Sequence, residues 1–144
     1  MKKLIYILIL LHPTFLFAIE KTKEEKVAKY IIQNIQKDYV ACYGFYKVSS
    51  EIFKKTNKKK NIIDGLEKSA DITLKFNYDL GEVLGLKPKN MALTNKKMVE
   101  KFTKVAKKKF PTLANKYGLM CKELVEDQKQ RINYWEDKGN KKIK

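Results

Sequence analysis

Residues 22–55 read TKEEKVAKYIIQNIQKDYVACYGFYKVSSEIFKK, and this stretch decides the fold class of the 144-residue chain. Apolar or small side chains recur through it in alternating steps of four and three residues, which is the spacing of one helix face. The stripe consists of Ala28, Ile32, Ile35, Tyr39, Cys42, Tyr46, Ser49 and Phe53. Residues 22–55 are therefore predicted to form a long amphipathic helix whose apolar face packs against other helices.

The rest of the chain repeats this kind of pattern between polar or proline-containing breaks. Further helices are predicted at about 62–84, 95–109 and 112–138. Thr94 is a favourable N-cap for the third helix, and Pro111 is expected to stop or kink the chain before the last one. Amphipathic helices joined by short links predict an all-α fold, a small bundle of about four helices.

The chain has two cysteines, Cys42 and Cys121, and both lie on predicted apolar stripes. In an oxidising compartment such a pair most simply forms one disulfide, which would join the first and last helices. Two reduced thiols in the core are the alternative. A disulfide that closes a loop of about eighty residues would stabilise the fold by about 4 kcal/mol in the chain-entropy model.

The N-terminus has the pattern of a secretory signal peptide. A basic start, MKK, precedes the apolar run LIYILILL at 4–11, and Ala18 is followed by charged residues. We therefore predict a signal peptide at 1–18, a single helical domain at 19–138 and a mobile basic tail at 139–144. Export to the periplasm or the medium follows from this interpretation. A retained membrane anchor is the competing interpretation, although the run is short for a span, and no later segment is apolar enough to cross a membrane.

The only histidine, His12, lies inside the predicted signal peptide. The exported part would then contain no imidazole, which excludes Ser-His-Asp and Cys-His catalysis and most zinc and haem sites. Two cysteines do not complete a zinc site, and no glycine-rich phosphate loop is present. No catalytic residue, metal or cofactor is predicted, and the protein is expected not to be an enzyme.

Carboxylates leave one enzymatic alternative. Asp64, Glu67 and Asp71 are spaced three and four residues apart, so that they share one helix face. Paired carboxylates catalyse glycoside hydrolysis when burial raises the pKa of one of them. A carboxylate-dependent glycan hydrolase is therefore kept as an alternative. The competing interpretation is a solvated helix start, where acidic side chains are favourable.

A cluster of aromatic side chains leaves a second alternative. Tyr39, Tyr43 and Tyr46 crowd the middle of the first helix. Such side chains can line a cavity between helices, which would make the protein a carrier of a small apolar ligand. The competing interpretation is core packing around the disulfide.

The leading hypothesis comes from charge. The formal net charge is +16, and Arg131 is the only arginine. The third predicted helix places four lysines, in steps of four, three and four, on one face that is predicted to bind anions: Lys97, Lys101, Lys104 and Lys108. An exported, non-enzymatic binding protein would use this face to contact lipid headgroups, an anionic glycan or an acidic protein.

The competing interpretation of the charge is a solvated lysine face, with lysine frequent because an AT-rich genome encodes it often. The scarcity of arginine argues against specific nucleic-acid binding, because arginine is the usual residue for bidentate phosphate contacts. The oligomeric state is left open by the sequence.

Overall fold

A computed structural model describes residues 22–143 of the chain, which form four α-helices. The helices are α1 (Lys23–Lys55), α2 (Lys60–Val83), α3 (Pro88–Glu126) and α4 (Lys129–Lys142). No strand occurs within residues 22–143, so the predicted all-α bundle is confirmed. The predicted signal peptide at 1–18 lies outside the described residues.

Helix α1 is the central element of the bundle. It begins with a capping box, in which Thr22 Oγ1 accepts a hydrogen bond from the Glu25 backbone N–H and the Glu25 carboxylate accepts one from the Thr22 N–H. The helix has 33 residues and contacts each of the other three helices. The middle of the predicted stripe, Ile35 through Ser49, is buried, whereas Ala28 at its N-terminal end is exposed.

The core is closed by a covalent bond between two helices. Cys42 and Cys121 form a disulfide with their Cα atoms 5.3 Å apart, and neither residue is accessible to solvent. The predicted pairing is confirmed. It joins α1 to α3, the first and the last of the long helices, because the segment that follows Cys121 does not continue as one helix to residue 138.

The third helix begins earlier than the sequence predicted. Its first residue is Pro88 instead of residue 95. Backbone N–H groups in the first turn of a helix have no intrahelical acceptor, so the N–H that proline lacks is not missed there. Thr94 is not an N-cap. It lies in the second turn, where its hydroxyl donates to the carbonyl oxygen of Asn90 at 2.9 Å.

Pro111 kinks α3 without ending it. Lys109, two residues before the proline, has φ −149° and ψ 66°, which is far from helical geometry. The helix therefore consists of two segments, 88–108 and 110–126, that meet at this bend. The first segment carries the four lysines, and the second carries Cys121.

The predicted helix at 112–138 is divided in two. Asp127 has an extended backbone, with φ −151° and ψ 100°, and α4 begins two residues later. Helix α4 then runs to Lys142, so most of the predicted tail at 139–144 is helical. Gly139 is buried against Val27 and Tyr30 of α1, where an added Cβ would lie 3.2 Å from both side chains.

Gly44 lets α1 and α3 approach each other near the disulfide. A Cβ at this position would lie 2.8 Å from Met98 Cγ, closer than packed carbon atoms tolerate, and 3.3 Å from Phe102 Cδ2, which is a tight contact. The absence of a side chain at Gly44 therefore sets the separation of the two helices at this crossing.

Candidate functional site

The four predicted anion-binding residues are brought together on one face of α3. Lys97, Lys101, Lys104 and Lys108 all lie before the kink and are all exposed. At 100° per residue their Cα atoms fall within about 60° around the helix axis, and they span about 16 Å along it. We call these four residues the lysine face.

The lysine face is held in place by the opposite side of the same helix segment. Phe102 and Ala106 are buried against the rest of the bundle, and Met98 is half-buried. The side chain of Val105 is 37% exposed at one edge of the lysine face. Leu93, one turn before Lys97, is 51% exposed.

The lysine face is not neutralised by the chain itself. None of its four ammonium groups forms an ion pair with a carboxylate of residues 22–143. The ion pairs that do form on lysines lie elsewhere, for example Lys54 with Glu67 and Lys75 with Asp79. The positive charge of the face is therefore available to an external anion.

The three predicted carboxylates do not form a catalytic pair. Asp64 and Asp71 are exposed. Glu67 forms an ion pair with Lys54, whose Nζ lies 2.6 Å from the Glu67 carboxylate. The hydrogen bond from Lys54 holds the pKa of Glu67 below its usual range. A general acid for glycoside hydrolysis needs a raised pKa, so this environment shifts Glu67 in the wrong direction.

The three predicted tyrosines do not converge on one cavity. Tyr39 is fully buried, stacks on Phe76 with ring centroids 5.2 Å apart, and borders a cleft of about 370 Å³. Tyr43 lines a different cleft of about 460 Å³, and Tyr46 lines a third. The three side chains therefore border three separate clefts.

A polar cluster that the sequence did not reveal fixes α4 on α1. Arg131 donates two hydrogen bonds to the carboxylate of Asp38, and Trp135 Nε1 donates a third at 2.6 Å. The Arg131 guanidinium also lies over the rings of Tyr134 and Trp135. The available signal was that the only arginine and the only tryptophan are four residues apart, on one helix face. We assign this cluster a structural role, because Asp38 is buried and accepts three hydrogen bonds within the protein.

A second unpredicted cluster is a buried chain of side-chain amides. Gln36 Nε2 donates to Asn77 Oδ1 at 2.7 Å, and Asn77 Nδ2 donates to Asn95 Oδ1 at 2.8 Å. The three residues come from α1, α2 and α3. Asn95 Nδ2, at the end of the chain of bonds, is buried without an acceptor.

Residues 22–143 contain no group of three or more His, Cys, Asp or Glu side chains arranged to hold a metal ion. Within the same residues no helix combines the length and the apolar character needed to cross a bilayer. Comparison with models of protein families, with curated proteins and with solved structures finds no significant match.

Proposed function

We propose that this chain is an exported, non-enzymatic binding protein that attaches to an anionic surface through the lysine face. One observation supports this proposal above the others. Four exposed ammonium groups lie on one side of a packed helix segment without a carboxylate partner in residues 22–143. Charges of one sign that share a packed helix segment attract polyanions through their summed field.

The spacing of the lysines favours a surface over a single small anion. Neighbouring members of the lysine face are one helix turn apart, about 5–6 Å, which is shorter than the Debye length of about 8 Å at physiological ionic strength. Their potentials therefore add along the helix. Lysine is a compact point charge on a flexible stem, which suits many loosely placed anions better than one planar group.

Among the anionic surfaces, we favour lipid headgroups. Leu93 is exposed one turn before Lys97, and Val105 is partly exposed beside Lys104 and Lys108. Apolar side chains at the edge of a basic face are the feature that lets a surface helix reach the boundary between headgroups and acyl chains. A glycan or an acidic protein would provide less apolar surface for these two side chains to contact.

Export is the other part of the proposal, and the disulfide supports it. The Cys42–Cys121 bond is compatible with an oxidising compartment and unusual in a reducing one. Mass spectrometry of protein recovered from its native compartment is the test. We expect an N-terminus near residue 19 and no free thiol, whereas an intact leader or two free thiols would contradict export.

The experiment on the lysine face uses vesicles of phosphatidylcholine with and without phosphatidylglycerol. We expect the oxidised protein to sediment with the anionic vesicles and not with the neutral ones. Each lysine near an anionic bilayer contributes about 1 kcal/mol, so changing all four to Glu should weaken the association by roughly a thousandfold or more.

A matched variant separates the lysine face from total charge. Changing Lys29, Lys37, Lys68 and Lys129 to Glu alters the net charge equally, but these exposed lysines are scattered over α1, α2 and α4. We expect this variant to retain most of the vesicle binding. Equal losses in both variants would show that net charge, and not the lysine face, drives the association.

Two further arms identify another anionic partner. The protein could bind an anionic cell-wall glycan or an acidic protein but no vesicles, and the lysine-face variant could lose that binding. This result would retain the lysine face as the binding surface and replace lipid with the other anion as its partner. Unchanged association of that variant with vesicles, glycan and native partner together would exclude the lysine face as the binding surface.

A second candidate function, transport of a small apolar ligand, is favoured by one observation. The cleft beside Tyr39 is lined by the apolar side chains of Ile35, Phe76 and Leu80. The test is fluorescence of N-phenyl-1-naphthylamine, which rises in apolar sites. Leu80→Trp should fill the cleft and abolish the rise, whereas Leu119→Trp, at an exposed position, should not.

A further inference from the structure

The chain of amides ends at an unused donor. Gln36, Asn77 and Asn95 are all buried, and Asn77 uses both its oxygen and its nitrogen in the chain of hydrogen bonds. The Nδ2 group of Asn95 is left without an acceptor, although this residue is only 4% exposed. Burying an unpaired N–H group costs free energy, so such a group is unusual unless a ligand or water completes it.

Asn95 lies in the wall of an open cleft. The cleft is formed by α1, α2 and α3 and has a volume of about 460 Å³, which is within the range of small-molecule sites. It is therefore large enough for a small ligand beside Asn95, and contact with Nδ2, which has almost no accessible surface, requires a local rearrangement of the cleft wall.

The other polar side chains of the cleft define the charge of that ligand. Lys47 of α1 and Lys96 of α3 both line it, and neither forms an ion pair in the part of the chain that the structure describes. Glu100 is the one acidic residue of the lining. Two cations and an amide donor against one carboxylate favour a ligand with a single negative charge.

The aromatic side chains define its shape. Tyr43 and Tyr78 line the same cleft, and Tyr43 is half-buried, with its pKa raised by burial and by the neighbouring Asp71 and Tyr78. Aromatic side chains at the wall of a cleft pack favourably against a flat ring, stacked or edge to face. The apolar part of the ligand is thus expected to be planar.

We infer that this cleft is a binding site for a small aromatic carboxylate. The carboxylate would accept a hydrogen bond from Asn95 Nδ2 and lie between the ammonium groups of Lys47 and Lys96. Its ring would pack against Tyr43 and Tyr78. The site is separate from the lysine face, since none of the four lysines of that face lines it.

The test uses benzoate as the probe and the intact oxidised protein. In ¹H–¹⁵N correlation spectra, the side-chain NH₂ signals of Asn95 report directly on the proposed hydrogen bond. We expect benzoate to shift them in a saturable manner at millimolar concentration. Benzamide, which has the same ring but no charge, and cyclohexanecarboxylate, which has the charge but no aromatic ring, should each bind several-fold more weakly.

Two double variants then separate the site from general charge. Lys47→Met with Lys96→Met should weaken benzoate binding by about tenfold, as expected for two partly solvated ion pairs. Lys101→Met with Lys108→Met removes the same charge from the lysine face and should leave benzoate binding unchanged. Loss of benzoate binding in the second pair would overturn the assignment.

Asn95→Asp is the sharpest variant, because it keeps the oxygen that accepts from Asn77 and replaces the free donor with an acceptor. We expect it to abolish benzoate binding. Should the buried carboxylate unfold the protein, the lysine double variants still decide the question. Asn95 signals that do not respond to benzoate, or an unchanged affinity in Lys47→Met with Lys96→Met, would refute the site.

Discussion

Arg131 of α4 donates from Nε to Asp38 Oδ2 of α1 at 2.6 Å, and from its second terminal nitrogen to Asp38 Oδ1 at 3.2 Å. Both side chains are mostly buried, and 93 residues separate them along the chain. Trp135 adds a third hydrogen bond to the same carboxylate. One aspartate thus holds the C-terminal helix on the central helix.

Removing this carboxylate is expected to destabilise the fold. Asp38→Ala would leave the Arg131 charge and the Trp135 N–H partly buried without an acceptor, at a cost of about 2–3 kcal/mol in the free energy of unfolding. Urea unfolding followed by circular dichroism measures this loss. Lys75→Met is the control, because its exposed pair with Asp79 should contribute at most about 0.5 kcal/mol. Equal effects of the two changes would contradict the structural role of Asp38.

The disulfide is expected to make a larger contribution. It joins residues that are 79 positions apart, and the chain-entropy model gives about 4 kcal/mol for a loop of this length. The double variant Cys42→Ala with Cys121→Ala should lower the free energy of unfolding by about that amount. Unfolding curves of the native protein with and without a reducing agent check the same value independently. Coincident curves would show that the bond adds nothing to stability.

Buried phenols are expected to make the fold sensitive to alkaline pH. Burial raises the pKa of Tyr46 from its ordinary value near 10 to about 12, and it raises the pKa of Tyr39 further. Between these values the unfolded chain loses a proton that the native state keeps, so stability falls as the pH rises above about 10.

A single substitution isolates the contribution of one phenol, because the rest of the chain is unchanged. Tyr46→Phe should reduce the slope of unfolding free energy against pH by up to about 1.4 kcal/mol per unit between pH 10 and 12. Denaturant unfolding at a series of pH values gives both slopes. Parallel slopes for the two proteins would argue against a raised pKa at Tyr46.

Salt dependence provides a check on the lysine face that needs no substitution. Exposed charges are screened over about 10 Å in 0.1 M salt and over about 3 Å in 1 M salt, so association with anionic vesicles should fall steeply across this range. The Asp38–Arg131 contact is mostly buried and should be screened much less, so the unfolding midpoint should change little. Vesicle binding that persists in 1 M salt would point to apolar contacts as the main attraction.

The sequence predicted the parts of the fold that depend on helical periodicity. The spacing of Ile35, Tyr39, Cys42 and Tyr46 places one face of α1 in the core whatever its partners are. The inward direction of Cys42, and with it the disulfide to Cys121, followed from the same spacing. The exposure of the lysine face could be predicted for the same reason.

The features that the sequence missed depend on contacts between distant residues. Residues 112–138 carry one continuous apolar stripe, so the local sequence pattern does not predict the break at Asp127. This break lets Arg131 reach Asp38. The start of α3 was misplaced because Thr94 and Pro88 are both residues that favour a helix start. The amide chain that ends at Asn95 crosses three helices, and its partners have no fixed spacing along the sequence.

The sulfur bridge has a consequence for how this molecule comes apart. It ties residues 42 to 121 into a covalent ring that contains α2 and the lysine face, whereas α4 lies outside the ring and contacts α1 mainly. Helix α4 can therefore separate from α1 without breaking the disulfide. Amide protons of α4 should therefore exchange with solvent earlier than those beside Cys42, as a separate unfolding unit.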